Sequence, residues 1–321
     1  MLASPIRGII GAALTPFTDD GKVDYDALAR EIEFLVADCD AISVVAVEAS
    51  EYTVLSLQER KEVMRRATEI VNKRVPVILG ASSHSIETVL DLSDHAAAVG
   101  GDLIQVLMPI RPWGGQPTIA DLVQFFTEVA SVSPLPIVAY HNPGPGADPP
   151  LDAFVRLSEL EKVDYFKESS RDITKITRLI EQVHLAGKAN YFTTMQPLLT
   201  TLMMGGAGAT MPPPGTRIGA RVVRAFREGD IDRARYWQRC FTLFPGKWGA
   251  YGLPPIMKSA LKHFGVDIGD PARPYSPVSP RDHAQIGQFL GQIGILGDGE
   301  PDEAAFDQAA VQLAQDDTFL R

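Results

Sequence analysis

Apolar and amphipathic stretches alternate along the chain as far as Gly229. The apolar stretches are short runs rich in β-branched residues, and such runs predict strands buried on both faces of a parallel sheet. The stretches between them show helical spacing; in ALAREIEFLV, for example, Leu28, Ile32 and Leu35 share one face. The predicted strands cover residues 8–14, 41–47, 75–81, 102–108, 136–142, 163–168, 190–195 and 207–211. The predicted helices cover residues 25–37, 57–72, 86–99, 119–132, 151–160, 172–184, 196–204 and 218–228.

Eight strands that alternate with eight helices predict a (β/α)8 TIM barrel, because this series of βα units matches that fold in number and length. A doubly wound parallel sheet is the alternative that the pattern leaves open. No glycine fingerprint of the dinucleotide-binding type follows the first predicted strand, where TPFTDDG stands instead. The α/β pattern therefore favours the barrel.

The alternation stops after Gly229, and the amphipathic segments that follow have no apolar strand between them. We therefore predict a barrel domain over residues 1–229 and a C-terminal helical appendix over residues 230–295. The stretch LGDGEPDE has the composition of a linker. Residues 296–321 are predicted to hold this linker and one further helix, over 302–319.

The net charge of −10 argues against a nucleic-acid partner, since no basic tract offsets it. Cys39 and Cys240, the two cysteines, make no metal-binding spacing, which favours the reducing cytoplasm as the setting. No apolar run reaches the roughly 18 residues of a membrane span. GIIGAAL is short and runs into TPFTDDG, so we interpret it as the first strand and not as part of a signal peptide.

Lys167 is the residue whose position most needs a chemical explanation. It ends the sixth predicted strand, directly after Tyr165 and Phe166, and the carboxyl ends of barrel strands form the functional rim. A lysine on an apolar barrel wall loses hydration, which lowers its pKa and leaves a neutral amine. Such an amine attacks a ketone to form a Schiff base, whose iminium accepts electrons. The alternative is a lysine paired with Glu168 or with a neighbouring strand.

The other rim residues give weaker indications. Neither His84 nor His141 has a second ligand at metal spacing, so no metal site is predicted. Strand alternation also turns His141 away from the side on which Tyr140 lies. Tyr52 and Trp113 suit either an aromatic pocket or packing at the rim or at a subunit contact.

The segment FKESSRDITK, which contains Lys167, resembles the Schiff-base segment of the dihydrodipicolinate synthase and N-acetylneuraminate lyase superfamily. Other segments resemble the same superfamily in the same order, over roughly residues 5–295. They are ALTPFTDDGKVDYDAL, SEYTVLSLQER, YHNP, GGAGATM, PPIMKSALKHFG and DPARPYSPVS. The resemblance implies a TIM barrel, lyase chemistry on a 2-oxo acid and a homotetramer built from tight dimers. It implies no cofactor, because the lysine supplies the electron sink.

Residue roles follow from the resemblance position by position. Lys167 matches the Schiff-base lysine, and Tyr140 matches the phenol that moves protons near the imine. Thr210 matches a residue that lines the pocket through its backbone. Ala49 and Ser50 match the positions that hold the carboxylate of the 2-oxo acid.

The loop after the second predicted strand departs from the superfamily pattern. That pattern is usually Gly-Thr-Thr-Gly-Glu or Gly-Ser-Thr-Gly-Glu, whereas this chain has Val47-Glu48-Ala49-Ser50-Glu51. Glu48 replaces the hydroxyl of the proton relay and is predicted to be catalytic. Ala49 lacks the hydroxyl that would bind a carboxylate, although Ser50 and the backbone amides remain.

Two further contacts of the synthases are missing. Arg111 stands where the synthases have the second of two tyrosines, and Pro145 stands near an arginine that binds their second substrate. Either Glu48 is a base that faces Arg111, with the guanidinium binding an anionic substrate, or the two residues form an ion pair or turn to solvent. The departures predict that the imine chemistry is kept and that the chain is not a true dihydrodipicolinate synthase.

The sequence thus predicts a class I lyase of the aldolase or hydratase-aldolase type. Its predicted substrate is a 2-oxo acid such as pyruvate, or an aldol derived from pyruvate. A 2-keto-3-deoxy sugar acid dehydratase would use the same residues and is one alternative. A barrel that binds a 2-oxo acid without turning it over is another.

Overall fold

The computed structural model describes residues 4–297, 303–304 and 306–308. Its eight strands are parallel and form one closed barrel in chain order, with β8 paired to β1. The strands are β1 Gly8–Ala12, β2 Ala41–Val44, β3 Val77–Gly80, β4 Leu103–Leu107, β5 Ile137–His141, β6 Val163–Glu168, β7 Asn190–Thr193 and β8 Gly208–Met211. The predicted (β/α)8 barrel is confirmed, and its closure excludes a doubly wound sheet with open edges.

A helix follows each strand and covers the outside of the barrel. α1 begins after the N-cap Asp24, whose carboxylate accepts hydrogen bonds from two amides of the first turn, and it buries Leu28, Ile32 and Leu35 as the spacing predicts. No helix in the described ranges is long and apolar enough to cross a bilayer. The helices are α1 Tyr25–Val36, α2 Leu57–Val71, α3 Ile86–Ala98, α4 Ile119–Val132, α5 Leu151–Leu157, α6 Ile173–Leu179, α7 Leu198–Met203 and α8 Gly215–Arg227.

The seam between β1 and β8 depends on a glycine. Gly208 has φ 152°, in the range that residues with a side chain rarely adopt, and it pairs with Gly8. A Cβ atom at residue 208 would lie 1.8 Å from the carbonyl oxygen of Gly8. The glycine-rich segment therefore lets the last strand approach the first closely enough to close the barrel.

The interior of the barrel has two layers. We call the apolar cluster toward the amino ends of the strands the lower layer; its members are Ile6, Ile10, Ala41, Ile78, Leu103, Val138, Tyr165, Phe192 and Ala207. Burial of each large side chain there contributes about 1.5–3 kcal/mol to the free energy of unfolding. A smaller cluster lies toward the carboxyl ends and consists of Ala12, Val47, Leu107 and Tyr140. We call this cluster, with the polar groups beside it, the upper layer.

The C-terminal part is helical, with α9 Ile231–Leu243, α10 Leu253–Lys262 and α11 Pro280–Gln292. No strand follows β8 in the described part of the chain, in line with the predicted appendix, although the boundary at residues 229/230 stays a prediction. The predicted helix over 302–319 lies outside the described residues apart from 303–304 and 306–308. Within these, Phe306 is buried and its ring packs edge-on against Tyr236 of α9, 5.6 Å between centroids.

Candidate active site

Lys167 points into the barrel at the carboxyl end of β6. Tyr165, two residues earlier, belongs to the lower layer, so strand alternation directs Lys167 to the same side and Glu168 to the outside. The lysine side chain is almost fully buried, and its Nζ donates a hydrogen bond to Ser169 Oγ at 2.5 Å. Nζ also lies 4.0 Å from the centroid of the Tyr140 ring.

Burial changes the ionisation of this amine. Desolvation lowers the pKa of Lys167 to about 7, against a partial opposing effect of the carboxylates of Glu48 and Glu168. A far larger share of the molecules then carries a neutral amine at pH 7 than for a lysine at its ordinary pKa. Lys167 is therefore a usable nucleophile near neutral pH.

Tyr140 lies beside Lys167 because β5 and β6 pair these two residues directly. Its hydroxyl donates a short hydrogen bond to Glu48 Oε2, and Asn142 Nδ2 donates to the same oxygen at 2.7 Å. Desolvation, and then the nearby Glu48 carboxylate, raise the pKa of Tyr140 well above its ordinary value. The phenol is thus a proton donor in the resting site, and Glu48 is the acceptor next to it.

Glu48 reaches this position from a short 3₁₀ turn, Glu48–Ser50, that follows β2. Its second carboxylate oxygen, Oε1, is buried and has no hydrogen-bond partner among the described residues. A buried acceptor without a partner costs folding free energy. Where it borders a cavity, as here, a bound substrate can supply the missing hydrogen bond.

These groups border a cavity of about 220 Å³ at the carboxyl end of the barrel. The charged side chains that line it are Glu48, Lys167 and Arg171. α10 adds Leu253 and Pro254, so the C-terminal appendix forms part of the wall. The remaining lining residues are Ala12, Val47, Ala49, Tyr140, Asn142, Ser169, Thr194, Met195, Thr210, Met211 and Pro212.

Comparison with known proteins assigns the family. The dihydrodipicolinate synthetase family matches residues 5–293. The chain belongs to this family. It is accordingly a class I lyase that acts through a lysine imine.

Several named proteins align with almost the whole of this chain. A 4-hydroxy-tetrahydrodipicolinate synthase from Methanothrix thermoacetophila is 29% identical over 296 residues, 90% of this chain and 98% of that protein. The crystal structure of dihydrodipicolinate synthase from Aquifex aeolicus superposes with a TM-score of 0.81 at 26% identity, over 92% of this chain and 100% of the other. N-acetylneuraminate lyase from Mycoplasma synoviae, at 21% identity and a TM-score of 0.77 over 89% and 96% of the two chains, shares the fold.

Of the residues predicted to bind substrate, Ala49 and Thr210 line the cavity of this family member. The Thr210 hydroxyl is buried and unpartnered in the described part of the chain. Ser50 is different, because its hydroxyl turns away and donates to the Val47 carbonyl at 2.6 Å. The Ser50 hydroxyl is thus used to hold the turn, as is the Ser50 amide, which donates to the same carbonyl at 2.9 Å. A role of Ser50 in carboxylate binding stays a prediction.

Arg111 does not lie in the cavity with Lys167 or face Glu48, so of the alternatives left open the structure agrees with the one in which this arginine turns to solvent. Its guanidinium lies 3.0 Å from Asp121 Oδ2, on the exposed loop between β4 and α4. Asp121 is fixed as part of the capping box of α4 with Thr118, and this carboxylate draws the arginine outward. Trp113 of the same loop is 83% exposed and does not line the cavity either.

Glu168 and His141 form a buried network behind the lysine strand. His141 Nδ1 lies 3.0 Å from Glu168 Oε1, and Tyr191 donates to Glu168 Oε2 at 3.0 Å. Burial pushes the pKa of Glu168 upward, but hydrogen bonds from His141 and Ser170 outweigh this and hold it below its ordinary value. His141 faces away from the cavity, as alternation predicts, and no cluster of three or more potential metal ligands occurs in the described ranges.

An ion pair anchors the Glu48 loop to the C-terminal helices. Glu51 Oε2 lies 2.7 Å from Lys258 Nζ of α10, and Glu51 Oε1 accepts a hydrogen bond from the amide of Ala272 at 2.7 Å. Lys258 also donates to the carbonyl oxygens of Thr15 and Asp270. The glutamate retained from the family pattern is thus structural here, and it fixes the turn that carries Glu48.

The cavity residues missed from the sequence include Asn142, Ser169 and Arg171. Asn142 stands two residues after Tyr140 and therefore on the same strand face, so alternation could have identified it. Ser169 and Arg171 follow the strand in an irregular loop, where no periodic pattern gives the direction of a side chain.

Proposed function

We propose that Lys167 forms the imine with the ketone of a 2-oxo acid such as pyruvate, and that the enzyme makes or cleaves an aldol derived from it. The observation that carries this proposal is the buried amine of Lys167, with its pKa of about 7, beside the hydrogen-bonded pair of Tyr140 and Glu48. The amine is the nucleophile, and the pair can give and take protons within reach of it.

The steps follow from these groups. The neutral Lys167 amine attacks C2 of the 2-oxo acid, the ketone oxygen leaves as water with a proton from Tyr140, and an iminium remains. In cleavage, the C4 hydroxyl loses its proton to the Tyr140–Glu48 pair as the C3–C4 bond breaks. The electrons of that bond move to the iminium and give an enamine, and an aldehyde is released. Protonation of C3 and addition of water to the imine release pyruvate and the free lysine.

Asn142 supports Glu48 in this scheme. Its amide donates to the oxygen that also accepts from Tyr140, so it holds the carboxylate toward the phenol. The negative Glu48 raises the pKa of Tyr140, so a Tyr140 that has given up its proton readily takes one from the substrate. The replacement of a relay hydroxyl by a carboxylate therefore suits a reaction that removes a proton from the substrate.

Dehydration is the second candidate, and Glu48 Oε1 favours it. This buried oxygen has no partner among the described residues, so it is free to take a proton from C3 of an imine-bound sugar acid. Loss of the C4 hydroxyl as water would follow, which is the reaction of a 2-keto-3-deoxy sugar acid dehydratase. Aldol cleavage and dehydration differ in whether the C3–C4 bond breaks.

We further propose that the reaction is not the condensation of the synthases, because Arg111 lies outside the cavity and Pro145 is exposed. A homotetramer stays a prediction, as does the cytoplasmic setting.

The test is turnover with a panel of pyruvate-derived aldols and 2-keto-3-deoxy sugar acids. Release of pyruvate, followed with lactate dehydrogenase, identifies an aldolase; a dehydrated 2-oxo acid without an aldehyde product identifies a dehydratase. Imine formation without turnover of any member of the panel would instead indicate a barrel that binds 2-oxo acids. A parallel assay with pyruvate and aspartate semialdehyde should give negligible synthase activity.

A further inference from the structure

Arg171 has a backbone conformation that an arginine seldom adopts. It lies in the loop between β6 and α6, four residues after Lys167, and its φ is 60°. The left-handed region is unfavourable for a residue with a long side chain, whereas glycine adopts it freely. Strain of this kind persists where the surrounding structure or the function requires it. The question is what the arginine side chain does there.

Arg171 lines the same cavity as Lys167, and its guanidinium has little to hold it within the described part of the protein. Its Nε donates to Gln196 Oε1 at 3.1 Å. Neither Nη atom has a hydrogen bond to a described residue, and no described carboxylate lies within 4.0 Å. The adjacent Asp172 is engaged as the N-cap of α6, where it accepts from the amides of Thr174 and Lys175.

Gln196 gives this arginine a fixed direction. Gln196 belongs to the loop after β7, and its main-chain carbonyl oxygen accepts a hydrogen bond from Gln238 Nε2 of α9 at 2.7 Å. Gln238 in turn accepts from the amide of Leu199 at 2.8 Å. The loop that orients Arg171 is thus tied to a helix, and the two Nη groups remain available to a ligand.

We propose that Arg171 binds a second anionic group of the substrate, at the end of the 2-oxo acid away from C1. This rests on the proposed function, since it takes the imine at Lys167 as its fixed point. The planar guanidinium can donate two parallel hydrogen bonds to a carboxylate or a phosphate, which share this acceptor geometry. The cavity of about 220 Å³ is lined by both Lys167 and Arg171 and has room for a chain of a few atoms.

The charges of the site agree with such a substrate. Glu48, which accepts a hydrogen bond from Tyr140, is negative when ionised, so an anionic tail is favoured next to the guanidinium of Arg171 and not next to this carboxylate. The enzyme as a whole carries a net charge of −10, and a guanidinium in the cavity wall offsets the repulsion of an anionic ligand. The substrate class is therefore a 2-oxo acid with two anionic groups.

The experiment measures imine trapping by borohydride as a function of ligand concentration. 2-Oxoglutarate and 2-oxoadipate carry a terminal carboxylate, and 2-oxopentanoate and 2-oxohexanoate are their equal-length analogues without it; 2-oxo-4-phosphonobutanoate tests a phosphonate. In each case the lysine amine and the ketone condense with loss of water, and borohydride then delivers a hydride to C2 of the iminium. We expect the wild-type enzyme to reach half-trapping at a concentration roughly tenfold lower or more for at least one two-anion probe than for its analogue.

Arg171→Gly should abolish this preference while the loop keeps its left-handed conformation. Arg178→Gln, on the exposed face of α6, removes the same charge and should leave the preference intact. Equal weakening of both probe types by Arg171→Gly, or no preference in a wild-type enzyme that traps pyruvate, would overturn the inference alone. A wild-type enzyme that traps neither pyruvate nor any probe would overturn the proposed function as well.

Discussion

The lower and upper layers of the barrel interior are built from the same strands but differ in what they bury. β5 supplies Val138 to the lower layer and Tyr140 to the upper; β6 supplies Tyr165 and then Lys167. In the lower layer the hydroxyl of Tyr165 has a backbone partner, the amide of Ile6. In the upper layer, Glu48 Oε1 and the Thr210 hydroxyl are buried and have no hydrogen-bond partner among the described residues.

Two inward-facing residues that are neighbours on one strand can thus have different roles, the first in core packing and the second in chemistry. The apolar lower layer keeps water from reaching Lys167 from below, and this desolvation is the main cause of its lowered pKa. The upper layer accepts unpaired polar groups, which reduce stability but remain available to a substrate. Substitutions in the two layers should therefore have opposite consequences.

Loss of the Tyr140 hydroxyl should have the largest effect on turnover. Tyr140→Phe keeps the ring over Lys167 and removes the proton donor to Glu48. Because removal of a general acid–base group costs about 10²- to 10⁴-fold, we expect kcat to fall within that range while borohydride trapping of pyruvate survives in part. Steady-state kinetics check this. Unchanged turnover would assign Tyr140 to packing alone.

Substitution of a buried residue should destabilise the fold in the lower layer and stabilise it at Lys167 in the upper layer. Ile78→Ala removes a fully buried side chain of the lower layer and should cost about 2–5 kcal/mol of unfolding free energy. Lys167→Met fills the lysine site with an apolar chain of similar length and should stabilise the fold at pH 7. Denaturant unfolding of both variants beside the wild type measures this contrast; destabilisation by Lys167→Met would contradict it.

The pH dependence of the unfolding free energy tests the same contrast between the layers. The pKa of Lys167 is about 7 in the fold and is ordinary, 10.5, in the unfolded chain. Between these values the unfolded chain binds more protons, so the lysine's unfavourable contribution shrinks as the pH rises from about 7 to about 10.5. The stability advantage of Lys167→Met should accordingly be largest near pH 7 and decline toward pH 10, and an advantage that grows with pH would refute this.

In imine formation, as distinct from turnover, Glu48→Gln should give the smallest change, a shift in the pH profile. The Glu48 carboxylate raises the pKa of Lys167, opposing desolvation, so its neutral replacement should lower that pKa further. The rate of imine formation rises as the amine loses its proton, and its midpoint should therefore move to lower pH. The measurement is the trapping rate against pH, with Glu87→Gln as an exposed control; a shift to higher pH would exclude this electrostatic role.

Much of the fold and the centre of the site followed from the sequence because both depend on periodicity. Apolar runs located all the strands and placed Lys167 at the carboxyl end of β6, whereas its direction, inward or toward a helix, was left open. The direction of Arg111 was also left open, because it depends on Asp121 of a helix cap, a contact that no period encodes. Arg171 was missed because the sequence does not reveal a left-handed φ.

The role of Glu51 was also out of reach for a related reason. Its partner Lys258 belongs to α10, far along the chain, and only the folded barrel brings the two together. Contacts between distant segments that lack a repeating pattern need the three-dimensional structure.

Labelling with pyruvate and borohydride decides whether the buried amine of Lys167 is the nucleophile. We expect one reduced pyruvyl group per chain, on the peptide that contains Lys167, and no label in Lys167→Arg, whose guanidinium stays protonated. Lys175→Arg, which alters a neighbouring lysine paired with Asp148, should label as the wild type does. Label on another residue, or undiminished label in Lys167→Arg, would show that Lys167 is not the nucleophile.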